Sequence, residues 1–97
     1  MTSMEIKSQI EERIKILENR LEGIYEKRRV NGLTCFVLEN GSWITLDYLL
    51  PFGALVIGHA DNEDEARLNR FEDGDLFYLE DMDEETMFQA MLNEIEQ

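Results

Sequence analysis

Carboxylates are the residues whose number and spacing could do chemistry in this chain. Asp61, Glu63, Glu65 and Glu72 fall at the ligand spacing of a twelve-residue calcium loop. The position where such a loop turns sharply on glycine holds Ala66, and the run around it is a good helix former, so no calcium site is expected. His59 is the single histidine and stands at the end of a strand-like run, just before the acidic stretch. A general acid or base needs an oriented partner in a cleft, and a metal centre needs several convergent ligands; one imidazole among scattered carboxylates supplies neither. Cys35, the single cysteine, allows no internal disulfide, and its place within a strand predicts a small buried hydrophobe with a protonated thiol. Glycine-rich phosphate loops, serine nucleophile elbows and CxxC pairs are absent from the sequence. The chain therefore reads as non-catalytic, with no catalytic, cofactor-binding or metal-ligating residue to assign.

What the carboxylates do supply is a field. Of a formal net charge of −13, residues 1–48 carry −1 and residues 49–97 carry −12. Asp61 to Glu85 alone hold 12 carboxylates against 2 arginines, a tract that disfavours nucleic-acid phosphates and anionic lipid, which call for clustered Lys and Arg. Carboxylates on a rigid surface instead imitate phosphate spacing and steer a basic protein inward. Asp61, Glu63, Asp64 and Glu65 are the candidate contacts of an inhibitor or immunity-type partner; the bland alternative is a solvated surface that also caps helices. Because like charges repel, converting these four to amides is expected to stabilise the isolated chain.

The elements that must position these groups are legible from periodicity. Ile6, Ile10, Ile14, Leu17, Leu21 and Ile24 form a helical stripe, so a long N-terminal helix is expected over roughly residues 4–29, with Thr2 and Glu5 at capping-box spacing, Lys27 to Arg29 at the carbonyl end and Asn31-Gly32 as its stop. The stripe from Ile10 to Ile24 also fits a short paired coiled coil, although packing on the chain's own sheet accounts for it more simply. Asn40-Gly41 separates two strand-forming runs and predicts a two-residue hairpin turn. That register pairs Val37 with Ile44 and Cys35 with Leu46, sending Leu33, Cys35, Val37, Ile44, Leu46 and Tyr48 to the core. Phe36, Leu38 and Trp43 then share the opposite face. Either a helix, the segment after Asp61 or the Pro51 loop covers them, or they form an interface with another chain and a homodimer results.

Ala54 to Ala60 predicts a third strand, apolar on both faces around Val56. A short helical turn capped by Asp61, a turn over Glu72 to Asp75, a fourth strand at Leu76 to Leu79, and a last helix follow. That helix is capped by Asp81 or Asp83, with Met87, Phe88, Met91, Leu92 and Ile95 on one face. The longest uncharged run, between Asp47 and Asp61, is broken by Pro51, Gly53 and Gly58 and falls short of the ~20 residues a bilayer requires. No secretory leader is visible, so a cytoplasmic protein is expected. The expected fold is α+β, a single domain over residues 1–97. Its antiparallel sheet of three to four strands carries the long N-terminal helix and the C-terminal amphipathic helix on one face. From a different functional class, the alternative is a small enzyme or ligand-binding subunit whose site forms only at an oligomer interface, for which a cleft uniting His59, Cys35 and Tyr48 would speak.

Overall fold

The computed structural model describes residues 3–97, so the Thr2 half of the expected capping box lies outside it. Helix α1 (Ser3–Glu22) leads into strands β1 (Glu26–Val30), β2 (Leu33–Val37) and β3 (Trp43–Leu49), then a 3-10 turn over Leu50–Phe52. β4 (Ala54–Ala60), the short helix α2 (Glu63–Arg67), β5 (Glu72–Tyr78) and α3 (Glu84–Ile95) complete the order. The five strands form one antiparallel meander, β1-β2-β3-β4-β5, with one strand more than the upper sequence expectation. α1 and α3 lie on one face, as their apolar stripes require. Ile10, Leu17 and Leu21 of α1 and Met87, Phe88 and Met91 of α3 share a buried cluster with Phe36, Ile44, Leu55, Ile57 and Phe77 of the sheet. No helix among the described residues is long and apolar enough to cross a membrane.

The additional strand is β1, and it shortens the first helix. α1 stops at Glu22, and Ile24, the last residue of the apolar stripe, is left exposed. Lys27, Arg28 and Arg29 belong to an edge strand in which Val30 alone is buried. Nothing in its side chains alternates, and charged residues on an open edge discourage pairing with other chains. Asn31-Gly32 is therefore no helix stop. Val30 pairs with Leu33 across it, and both turn residues have positive φ, 52° and 80°, the signature of a type I′ hairpin.

The second Asn-Gly makes a different turn. Leu38 N–H donates to Ser42 O at 2.8 Å and Gly41 N–H to Leu38 O at 3.0 Å, so Glu39, Asn40 and Gly41 form a three-residue loop. Gly41 takes the left-handed conformation at φ 90°, while Asn40 Oδ1 accepts from Ser42 N–H at 2.9 Å. The register is one residue off the expected one: Val37 pairs with Trp43, Phe36 with Ile44 and Cys35 with Thr45. A one-residue slip exchanges the faces of one strand relative to the other. β3 keeps the expected faces, with Ile44 and Leu46 inward, whereas β2 is reversed. Phe36 and Leu38 thereby enter the helix-covered core in place of Cys35 and Val37. Burying a large apolar side chain is worth about 1.5–3 kcal/mol, so packing decides between two turns that Asn-Gly serves equally well.

The opposite face is covered in part by α2. Trp43 and Cys35 pack there with Val30, Ala60 and Ala66, and Val37 and Phe71 close over them. Both faces of β4 are thus filled, which explains its continuous apolar run. Cys35 is fully buried as expected, but beneath α2 rather than beneath the long helices. Burial pushes its thiol pKa up, against a smaller opposing hydrogen bond with Thr45.

The two long helices are fastened to each other by α1 cations. Arg20 Nη1 donates to Glu85 Oε2 at 2.6 Å, and its guanidinium lies 3.9 Å from the centre of the Phe88 ring. About two turns earlier on α1, Arg13 donates to the Met82 carbonyl at 3.0 Å. α3 itself begins at Asp83, whose side chain accepts from Thr86 N–H at 2.8 Å; of the two expected caps, this is the one used.

Candidate interaction surface

Phe36, Leu38 and Trp43 do not form a shared outer face. Phe36 (0% exposed) and Leu38 (8%) point under α1 and α3, and Trp43 (5%) points under α2. The slipped register separates them, and the chain's own helices cover both groups. The reason for expecting an interface with a second copy at that face is thereby removed.

Asp61, Glu63, Asp64 and Glu65 do lie together, at the start of α2. The cap is Asn62 rather than Asp61: Asn62 Oδ1 accepts from Glu65 N–H at 2.9 Å, while Asp61 stands outside, 3.9 Å from His59 Nδ1. Glu63 pairs with Arg67 at 2.7 Å and Glu65 with Arg70 at 3.7 Å. Glu63 and Glu65 thus sit beside the free N–H groups of a helix start and face arginines of their own chain, whereas Asp61 and Asp64 have no Lys or Arg partner among the described residues.

A second acidic group lies within the same tract, outside the four contacts expected from the sequence. The run Glu72 to Asp75, expected as a turn, is the first half of β5 and carries an irregularity: Leu76 pairs with Val56, but Asp73 pairs with Gly58, so β5 holds one residue more than β4 across the same interval. At that bulge Asp75 N–H donates to Glu94 Oε1 of α3 at 2.8 Å. Glycine at 74 is what lets the carboxylate approach, since a Cβ there would lie 2.8 Å from both Glu94 oxygens. The bulge, the end of α3 and the β2–β3 loop enclose a groove of about 360 Å³. Its floor is the nearly closed Ile44 and Ile57 (1% and 3% exposed), with Ile95 and His59 beside them, and Glu72, Asp73, Asp75 and Glu94 give it an acidic side. Among the described residues no Lys, Arg or His comes within ion-pair distance of Glu72, Asp73, Asp75, Glu94 or Glu96. The last turn of α3 contains no basic residue, so the negative end of its dipole adds to these charges rather than offsetting them.

A larger groove of about 440 Å³ lies at the other end of the sheet, beside Ile6, Pro51, Phe52 and Leu79, with Glu80 as its one charged residue. The groups that a catalytic reading would need are apart. Cys35 is enclosed beneath α2, Tyr48 packs against the helix-side cluster, and His59 is partly exposed and lines the acidic groove. Among the described residues no three His, Cys, Asp or Glu side chains converge as metal ligands. The calcium frame is split between α2 and β5. The signal that could have found the acidic groove was Gly74 within a run of carboxylates, a residue that in a strand marks a bulge or a close approach. Compared with protein-family models, curated proteins and solved structures, the chain matches none.

Proposed function

We propose that this chain is a non-catalytic interaction module that docks a basic protein through its acidic surface, in the manner of an inhibitor or immunity-type partner. The observation that carries this reading is the set of carboxylates around β5 and the end of α3 that no cation of the described chain answers. Glu85 and Glu63, by contrast, are met by Arg20 and Arg67 of the same chain. Like charges held together without counterions cost stability in the free protein, and a basic partner relieves that cost on binding. The enclosed free thiol suits a reducing compartment such as the cytoplasm, where such a module would meet its partner.

Affinity capture from a lysate of the source organism tests the reading, read out as the isoelectric points of the retained proteins. Proteins with isoelectric points above about 9, retained at about 0.05 M salt and released at about 0.5 M, are expected. A retained set with no basic bias, or one indifferent to salt, would refute the proposal.

A further inference from the structure

We infer that residues 61–71, which carry α2, form a lid that opens on its own and admits small solutes to Cys35 while the sheet and the two long helices stay folded. The lid is a property of the free chain and stands apart from the docking proposed above. The buried apolar residues fall into two clusters with no member in common. A large one lies beneath α1 and α3, and a small one of Val30, Cys35, Trp43, Ala60 and Ala66 lies beneath α2. The lid runs between the end of β4 at Ala60 and the start of β5 at Glu72, so its departure breaks no ladder of the sheet and leaves the large cluster as it is.

The bonds of this segment are unevenly distributed. Within itself it is well tied: Asn62 Oδ1 accepts from Glu65 N–H at 2.9 Å, Arg70 N–H donates to Glu65 O at 2.9 Å, and Glu63 and Glu65 pair with Arg67 and Arg70. Outward it has little. Among the described residues Asn31 Nδ2 donates to Arg67 O at 2.8 Å, and Asp61 lies 3.9 Å from His59. Ala66 is the one buried residue of α2, so a single methyl group anchors the helix, while Leu68 beside it is 59% exposed. Phe71 adds a half-buried ring, which the glycine at 58 lets lie against β4; a Cβ there would come within 3.1 Å of Phe71 Cβ. Helices shorter than about 12–15 residues are marginal in water without tertiary support, and α2 has five residues. Few buried apolar contacts and an exposed backbone place a segment at the low end of local opening energies. What this one covers is closed: Cys35 is 0% exposed and Trp43 5%.

The test follows the reaction of the Cys35 thiol with dithiodipyridine in the full chain, from zero urea to the unfolding midpoint. A thiol freed by global unfolding alone reacts at a rate whose logarithm rises with urea at the slope of the equilibrium transition, because that slope scales with the surface exposed. A lid of eleven residues in 97 exposes far less, so at low urea the slope is expected to be no more than about a quarter of the global one. Asn31→Gly removes the tie to Arg67 O and keeps the left-handed turn unstrained. It is expected to speed low-urea labelling about fivefold, the equivalent of one hydrogen bond. Ile57→Val loosens the large cluster instead, and should lower the unfolding midpoint while leaving low-urea labelling unchanged. Circular dichroism on each variant verifies that the fold is intact. Labelling that follows the global slope at every urea concentration, or that accelerates in Ile57→Val as far as its stability falls, overturns the lid. So does an Asn31→Gly chain that labels no faster than wild type.

Discussion

Amide substitutions at the two acidic groups should shift stability in opposite directions, although both remove the same number of like charges from a chain of net charge −13. At α2 the triple change Glu63→Gln/Asp64→Asn/Glu65→Gln breaks the Glu63–Arg67 pair, whose carboxylate is about half exposed (52%), and the longer Glu65–Arg70 pair. An exposed i,i+4 pair is worth about 0.3–0.5 kcal/mol and a loose surface pair a few tenths at most. Negative charge beside the first-turn N–H groups adds about 0.3 kcal/mol or more per residue at low ionic strength, and the lower end applies to so short a helix. The net loss is about 1 kcal/mol. For a domain of this size that lowers Tm by about 4–8 °C. At the groove, Glu72→Gln/Asp73→Asn/Asp75→Asn breaks no ion pair among the described residues and removes repulsions worth a few tenths of a kcal/mol each in water, so Tm should rise by about 2–5 °C. Thermal unfolding followed by circular dichroism at about 0.01 M salt reads both. Raising salt to about 0.15 M shortens the Debye length from roughly 30 to 8 Å and should shrink both shifts. If both variants gain stability, as the charge distribution in the sequence alone suggests, then local pairing at α2 is irrelevant and the distinction drawn between the two groups is wrong.

Cys35 should react with a disulfide reagent only as fast as the fold opens, since it is fully buried and its thiol pKa is raised; labelling at the rate of a free thiol in native buffer would contradict this. Trp43→Ala should cost about 3–5 kcal/mol in urea unfolding, because Trp43 fills the layer beneath α2; a variant with unchanged stability but altered sedimentation would restore Trp43 to a surface role. Asp83→Ala should lower Tm at pH 7 through loss of the α3 cap. The backbone hydrogen bond from Thr86 holds the Asp83 pKa below its usual value, so this contribution is present above the ordinary carboxylate range and disappears as pH falls through the folded-state pKa. The gap between wild type and variant should therefore close below about pH 4, and an equal gap at pH 3 and pH 7 would show that the carboxylate charge is not what caps the helix.

Local pattern was enough to place much of this chain. The stripe from Ile6 to Leu21, the face Met87–Phe88–Met91, the Asp83 cap, the double-sided run of β4 and the inward face of β3 all follow from periodicities a few residues long, which the backbone enforces wherever the segment lies. β1 escaped because an edge strand with one buried side chain has no periodicity to display, and its three cations read equally well as the end of a helix. The face of β2 was undecidable from Asn40-Gly41. That dipeptide fits a two-residue loop, as its counterpart Asn31-Gly32 does, and equally a three-residue loop ending in a left-handed glycine. Only the volumes waiting beneath α1, α3 and α2 selected between them. Charge is the extreme case. The sequence set how many carboxylates there are, but whether each meets an arginine depends on which segments the fold brings within 4 Å. By that criterion Glu63 and Glu65 of α2 are answered, whereas Asp64 and the acids between β5 and α3 are not.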